Sequence, residues 1–285
     1  MRRTDVARLV ALAAIWGASF IFIRVLAPVL GPILTAAARV LIAGAALIVY
    51  CRSVGFDAEL HRYWRQYLVI GVVNSALPFV LYAFAALHIP ASYSVILNST
   101  TPLFTALLAI PFLGERLTWG KIGGLVTGVA GVALVSRAGP VVPDRWFGAA
   151  VAACLCATVC YAASSIYMKK HAAGAKPLAI AGWSQIFAGL VLVPFVPLAP
   201  APVGLTPLIA ANVLGLALLC SSVVYVLYYR LIADVGPTRA LTVAFLMPAF
   251  GMLWGAVFLD ETITLPMIAG CALIIGGTGA VLRRA

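Results

Sequence analysis

Polar residues punctuate this chain rather than fill it. Apolar runs of about twenty residues follow one another from end to end, the length an α-helix needs to cross a bilayer. The runs lie at residues 6–26, 31–51, 64–87, 91–113, 118–136, 146–168, 178–198, 207–232, 237–259 and 264–282. Each predicts a transmembrane helix. The breaks between them are short. Gly31 and Pro32 open the second run, a polar hinge fills 52–65, and Pro197, Pro200 and Pro202 mark a loop because proline lacks the helix donor. The first run is too long for a typical signal-peptide core and is followed by more spans, so it reads as a retained helix.

The runs fall into two sets of five. One offset of 146 residues lays Pro102 on Pro248, Phe104 on Phe250, Glu115 on Glu261, Thr118 on Thr264, Gly124 on Gly270, Gly131 on Gly277 and Arg137 on Arg283 (248 − 102 = 146). The same offset carries Phe112 and Leu113 onto Phe258 and Leu259, Ser19 onto Ser165, Ser75 onto Ser221, Arg24 onto Lys170, and Tyr82 onto Tyr228. Matches in register at this density mark a duplicated unit. The two repeats are 1–137 and 145–285, separated by a short connector. An odd number of spans per repeat turns the second one over. The predicted fold is an all-α integral membrane protein of ten transmembrane helices, built as two inverted five-helix repeats. That plan places a transporter's site near mid-membrane, between the halves.

Composition agrees with the pattern. The chain is 64% hydrophobic and 9% charged, with mean hydropathy +1.10. A soluble domain carries roughly 25% charged residues, so there is too little polar material here for a water-facing surface. The net charge of +11 does not indicate a nucleic-acid partner, because the basic residues flank apolar runs singly instead of forming a patch. They do set an orientation. With the N-terminus inside, Arg2, Arg3, Arg8, Arg52, Arg62, Arg65, Arg116, Lys121, Lys169, Lys170, Lys176, Arg230, Arg239, Arg283 and Arg284 all face the cytoplasm. Arg24, Arg137 and Arg145 lie outside and Arg39 lies within the second run, giving fifteen against four. Positive charge accumulates on the cytoplasmic side, so both termini are expected there, in a bacterial inner membrane.

The two copies resemble the EamA domain of the drug/metabolite transporter superfamily. The carriers are Ile15-Trp16-Gly17-Ala18-Ser19-Phe20 in the first run, Arg39 in the second, and Pro102 with Gly114-Glu115-Arg116-Leu117-Thr118 and the glycine-rich run that follows. The second copy departs from the first, with Ala162 for Trp16, Gln185 for Arg39 and Asp260 for Gly114. Within the superfamily the chain looks most like YddG-type exporters of aromatic and other amino acids, through Asn98 ahead of Pro102. The resemblance implies a transporter of small metabolites. Carriers of phosphorylated metabolites, nucleotide sugars or drugs share the superfamily.

Polar residues at mid-span are the candidate site. Ser94, Asn98, Thr101 and Thr105 recur at helical spacing on one face of the fourth run, and Pro102 frees a backbone carbonyl there. The other candidates are Trp16 and Ser19, Asn74 and Tyr82, Tyr161 and Ser164, Trp183 and Gln185, and Tyr225. Polar groups at this depth are expensive unless paired or wet. Packing between helices is the competing role for each serine and each ring, while aromatic faces also suit stacking on a substrate. Arg39 is expected to snorkel or to meet a backbone carbonyl, with a grip on a substrate carboxylate as the alternative. Glu115 and Glu261 are expected to cap the threonine-led helices that follow them.

All eight acids lie outside the span centres, so transport is expected to run down the substrate gradient without a membrane carboxylate. No histidine or acid accompanies the serines at depth, which argues against an enzyme. Cys154, Cys156 and Cys160 lack the further ligands of a zinc site, and no cofactor or metal is expected. The expected partners are a small-molecule substrate and the lipid bilayer. A membrane receptor or scaffold is the reading outside transport. The sequence sets no oligomeric state and is compatible with a monomer.

Overall fold

The computed structural model describes residues 2–56, 59–138, 144–236, 240 and 242–282, and among these it is helical with no strand. Pro237, Arg239, Arg283, Arg284 and residues 139–143 of the predicted connector lie outside the described residues. The helices are α1 (Arg3–Ser53), α2 (Leu60–Ala85), α3 (Ala91–Leu113), α4 (Trp119–Ala138), α5 (Phe147–His171), α6 (Pro177–Leu198), α7 (Pro207–Val235), α8 (Val243–Leu259) and α9 (Leu265–Leu282). The first seven are long and apolar enough to cross a membrane, and the last two are shorter and equally apolar.

Two predicted helices run together as α1. Only Gly31 leaves helical geometry, at φ 74° and ψ 163°. Pro28 and Pro32 on either side each remove a backbone donor, and glycine alone adopts that left-handed φ without a Cβ penalty. A straight helix of this length would measure about 75 Å, more than twice the roughly 30 Å hydrocarbon core. The bend at Gly31 is what lets α1 fit. Helix α2 starts inside the predicted polar hinge, because Tyr63 and Tyr67 are buried against Ala172, Ala175 and Ala179. The predicted proline loop begins later than expected, since Val193–Leu198 continues α6 as a tight 3₁₀ turn.

Both α2 and α7 contain a π-helical stretch, Gly71–Ala76 and Gly215–Val223. The repeat offset carries the first into the second. Such widened turns redirect side chains and concentrate at functional sites. Here they carry Asn74, which lines the cavity described below, and Ser221, which meets Arg39.

Helix α3 is interrupted at Ser99 and Thr100. Pro102 has no N–H to offer the Asn98 carbonyl, and the Thr101 hydroxyl donates to that oxygen instead, at 2.8 Å. Thr100 Oγ1 donates to the Leu97 carbonyl at 2.7 Å and Ser99 Oγ to that of Val95 at 3.1 Å. Side-chain hydroxyls thus satisfy the carbonyls the broken turn leaves behind.

Helices α4 and α9 pack together along their length. A Cβ on Gly124 would lie 2.5 Å from the Gly277 carbonyl oxygen, and one on Gly131 would lie 2.6 Å from that of Gly270. Two backbones approach this closely only across glycine. As α4 runs from Gly124 to Gly131, its contact on α9 runs back from Gly277 to Gly270, so the helices are antiparallel.

Glu261, in the turn between α8 and α9, does not cap its own helix. Its carboxylate accepts from the backbone N–H groups of Ala91 and Ser92, at 2.6 and 2.9 Å, at the start of α3. Helix N-termini hold unpaired donors and favour negative charge. At this same end Arg24 donates to the Ala86 carbonyl, and His88 stacks on Trp146 with centroids 5.7 Å apart. We expect Glu261→Ala to lower stability in detergent by about 1–3 kcal/mol, read as an earlier thermal unfolding. Glu261→Gln, which keeps one acceptor oxygen, should fall between. Equal melting of all three would reduce the contact to decoration.

Candidate functional site

A cavity of about 600 Å³ lies among α1, α2, α3, α5, α7 and α8. Its deep end is formed by Phe20, Ile23, Arg39, Phe79 and Tyr82, and it runs out past Leu113, Glu115, Lys121 and Lys169. Lys169 is exposed, so the cavity opens at that end of the bundle. The opposite end is the one closed by Glu261 and Arg24.

Two aromatic groups flank the space. Tyr82 meets Phe20 edge-on at 5.2 Å and stacks on Tyr161 at 6.2 Å. Across from them Trp16 contacts Tyr228 at 5.1 Å and Tyr225 at 6.4 Å. The Tyr82 hydroxyl donates to Asn98 Oδ1 at 2.8 Å, tying α2 to α3. Ser19 Oγ is turned inward on its own helix, donating to the Trp16 carbonyl at 2.7 Å. The cavity therefore offers ring faces with a few fixed polar atoms, the usual make-up of a small-molecule site.

Charge is uneven along it. Arg39 is only 6% exposed. Its guanidinium lies over the Phe79 ring, 3.8 Å from the centroid, and Nε donates to Ser221 Oγ at 3.0 Å. It is buried in the cavity wall, so the snorkelling expected of it does not occur. Nearer the opening, the Lys121 ammonium donates to Glu115 Oε2 at 2.9 Å and to the Arg116 carbonyl at 3.1 Å. Glu115 is thus an ion-pair partner, and the Thr118 side chain receives the Lys121 N–H at 3.3 Å as the cap of α4.

Of the residues singled out in the sequence, Trp16, Ser19, Asn74, Tyr82, Asn98, Thr101, Tyr161 and Tyr225 line the cavity. Ser94, Ser164, Trp183 and Gln185 do not. Ser94 is buried and faces Cys154, with Sγ to Oγ at 3.7 Å. Ser164 points into the bundle while its neighbour Ser165 lines the cavity. Trp183 packs on Phe187. Gln185 is fully buried and adjoins the Tyr225 hydroxyl. Arg39, Phe20, Phe79 and Tyr228 also line the space. Arg39 had a signal, as the one charged residue away from a span end. The phenylalanines had none to separate them from lipid-facing or packing residues.

A model of the EamA-like transporter family matches the chain twice, over residues 6–137 and 148–283. A probable terminal-alkyne amino-acid exporter of Streptantibioticus cattleyicolor is 27% identical, over 97% of this chain and 92% of that protein. The uncharacterized transporter YvbV of Bacillus subtilis is 26% identical, over 96% and 90%. Protein PecM of Dickeya dadantii is 28% identical, over 91% and 86%. One solved crystal structure superposes with a TM-score of 0.69 at 19% identity, covering 100% of this chain and 98% of that one, which shows a shared fold.

Proposed function

The chain belongs to the EamA-like transporter family, and we propose that it exports amino acids, aromatic and other neutral ones, from a bacterial cytoplasm by alternating access. It is a multi-pass membrane protein, and its family and relatives are transporters, not enzymes. The observation that carries the substrate reading is the cavity itself. It is enclosed by both repeats, open at one end and closed at the other, and walled by two aromatic groups with Asn98, Thr101 and Asn74 between them. A YddG-like aromatic amino-acid range suits those rings. The relative named as a probable amino-acid exporter supports the same class.

Alternating access rests on inverted repeats. Counting α1 as two spans bent at Gly31, and α8 and α9 as one each, gives ten. The glycine contacts support inversion: the offset converts the Gly124–Gly277 contact into Gly270–Gly131, which is the second contact found. A two-fold relation between antiparallel helices has this property. The positive-inside bias then directs the open end, with Arg8, Lys121 and Lys169, toward the cytoplasm. In this reading both termini are cytoplasmic as well, and the open end of the cavity faces inward.

Among the described residues Glu115 is the one carboxylate lining the cavity, and it is paired with Lys121. We therefore expect a uniport. Purified protein in liposomes should take up radiolabelled phenylalanine, tryptophan or threonine saturably, at a rate unchanged by a pH gradient. A second reading has its own support, because Arg39, Lys121 and Lys169 all line the cavity and would suit a phosphorylated metabolite. Flux of a phosphorylated sugar alone would select that reading. Amino-acid flux that stops without the gradient would keep the substrate and remove the uniport.

A further inference from the structure

Arg39 is held in place by groups that leave its charge unanswered. Ser221 takes Nε, and Phe79 covers one face of the guanidinium. Among the described residues it makes no ion pair, and neither terminal nitrogen meets an acceptor. It lines the deep end of the cavity, which Tyr161 and Tyr225 also line. The repeat offset places Gln185 at the equivalent position, buried and uncharged, so packing at this position does not require a cation. A buried guanidinium without a partner is strongly unfavourable. An ionisable side chain at this depth therefore marks a functional position whose partner arrives from elsewhere.

We propose that Arg39 is the receptor for the carboxylate of the transported molecule, and that this cavity selects by the carboxylate and not by the ammonium. The inference rests on the transporter reading and deepens it. The guanidinium fork matches a carboxylate with two parallel hydrogen bonds. One cation at this depth balances a single negative charge; a phosphate dianion would leave the excess uncompensated in an apolar wall. Among the described residues no lining carboxylate stands at this depth to answer an ammonium, which meets ring faces and uncharged oxygens such as those of Asn74 and Asn98. A deaminated acid should therefore bind, and a decarboxylated amine should not.

The test is binding to the purified full chain, followed by intrinsic tryptophan fluorescence and by thermal shift, with phenylalanine, 3-phenylpropionate, phenylalaninamide, phenethylamine and a phosphorylated sugar. The two carboxylates are expected to bind at least about tenfold more tightly than the amide and the amine. Arg39→Gln should erase that difference, since a hydrogen bond to a charged group is among the strong ones. Arg39→Lys, which keeps the charge without the fork, should retain part of it and serves where the glutamine variant melts early. Equal binding of acid and amine, or a carboxylate preference that survives in Arg39→Gln, overturns the proposal. So does binding of the phosphorylated sugar alone, or of none of the five. Liposome flux is read separately: carboxylate binding at Arg39 without amino-acid flux would count against the exporter reading and not against this one.

Discussion

Thr101→Trp is expected to cut transport at least tenfold while leaving the protein folded. Thr101 sits where α3 resumes after its break, and its side chain borders the cavity. An indole there projects into a space of about 600 Å³ that must also hold the substrate. Each 1.4 kcal/mol or so of lost substrate binding weakens it tenfold, and overlap with a substrate ring exceeds that. Thr101→Val separates bulk from hydrogen bonding. It keeps the shape but leaves the Asn98 carbonyl without its donor, at a stability loss of about 1 kcal/mol, with flux near that of the parent. Asn98→Ala removes the acceptor of the Tyr82 hydroxyl and should lower flux severalfold. A double-mutant cycle with Tyr82→Phe should show coupling of about 0.5–1.5 kcal/mol. Uptake in liposomes, with melting curves on the same samples, measures all of these. Parent-like flux in Thr101→Trp and Asn98→Ala together would return the α3 stripe to helix packing.

The stripe also shows how far periodicity reaches. Spacing along one unbroken helix put Ser94, Asn98, Thr101 and Thr105 on a single face. The last three line the cavity, but Ser94, one turn before Asn98 and ahead of the break at Ser99 and Thr100 like it, does not: its hydroxyl faces Cys154 of α5. A shared face does not say how far along the helix the cavity extends, and packing against α5 closes it above Asn98. Ser164 and Ser165 are neighbours in a helix and so point about 100° apart. The sequence offered both, and only packing chose Ser165. Trp183 and Gln185 were candidates because polar and amphipathic side chains at depth attract notice. Helix α6 stands behind α1 and α2, however, and no residue of it lines the cavity. The duplication and apolar runs were legible because lipid demands long apolar helices everywhere. The π-helical stretches were not legible, because they depend on contacts between repeats that no local pattern encodes. The same holds for Glu261, whose partners Ala91 and Ser92 lie 170 and 169 residues away. Capping rules look only three residues ahead.

Alanine at Gly131 or at Gly277 should destabilise the protein strongly and to a similar degree, while alanine at Gly123, Gly276 or Gly279 should be neutral or mildly stabilising. All five glycines lie in α4 or α9, and composition does not separate them. Geometry does. A Cβ at Gly277 would stand 2.5 Å from the Gly124 carbonyl oxygen and from Thr127 Oγ1, and one at Gly131 would stand 2.6 Å from the Gly270 carbonyl oxygen. Backbone oxygens cannot rotate away, so the helices must separate, and overpacking of this kind costs about 1–3 kcal/mol or more. Nothing lies within 4 Å of a Cβ at Gly123, Gly276 or Gly279. There the only change is the gain in helix propensity of alanine over glycine, up to about 1 kcal/mol. Gly131 and Gly277 are equivalent under the repeat offset, so their losses should agree to within the scatter of such measurements. In the bilayer close packing holds helices together where the hydrophobic effect cannot, and the α4–α9 pair has glycine at its two closest approaches. Thermal unfolding in detergent across the five variants reads the effect directly. Two falling together and three staying level supports a pseudo-two-fold packing of the pair. A loss at Gly277 with none at Gly131 would break the equivalence, and with it the case for inverted repeats that rests on these contacts.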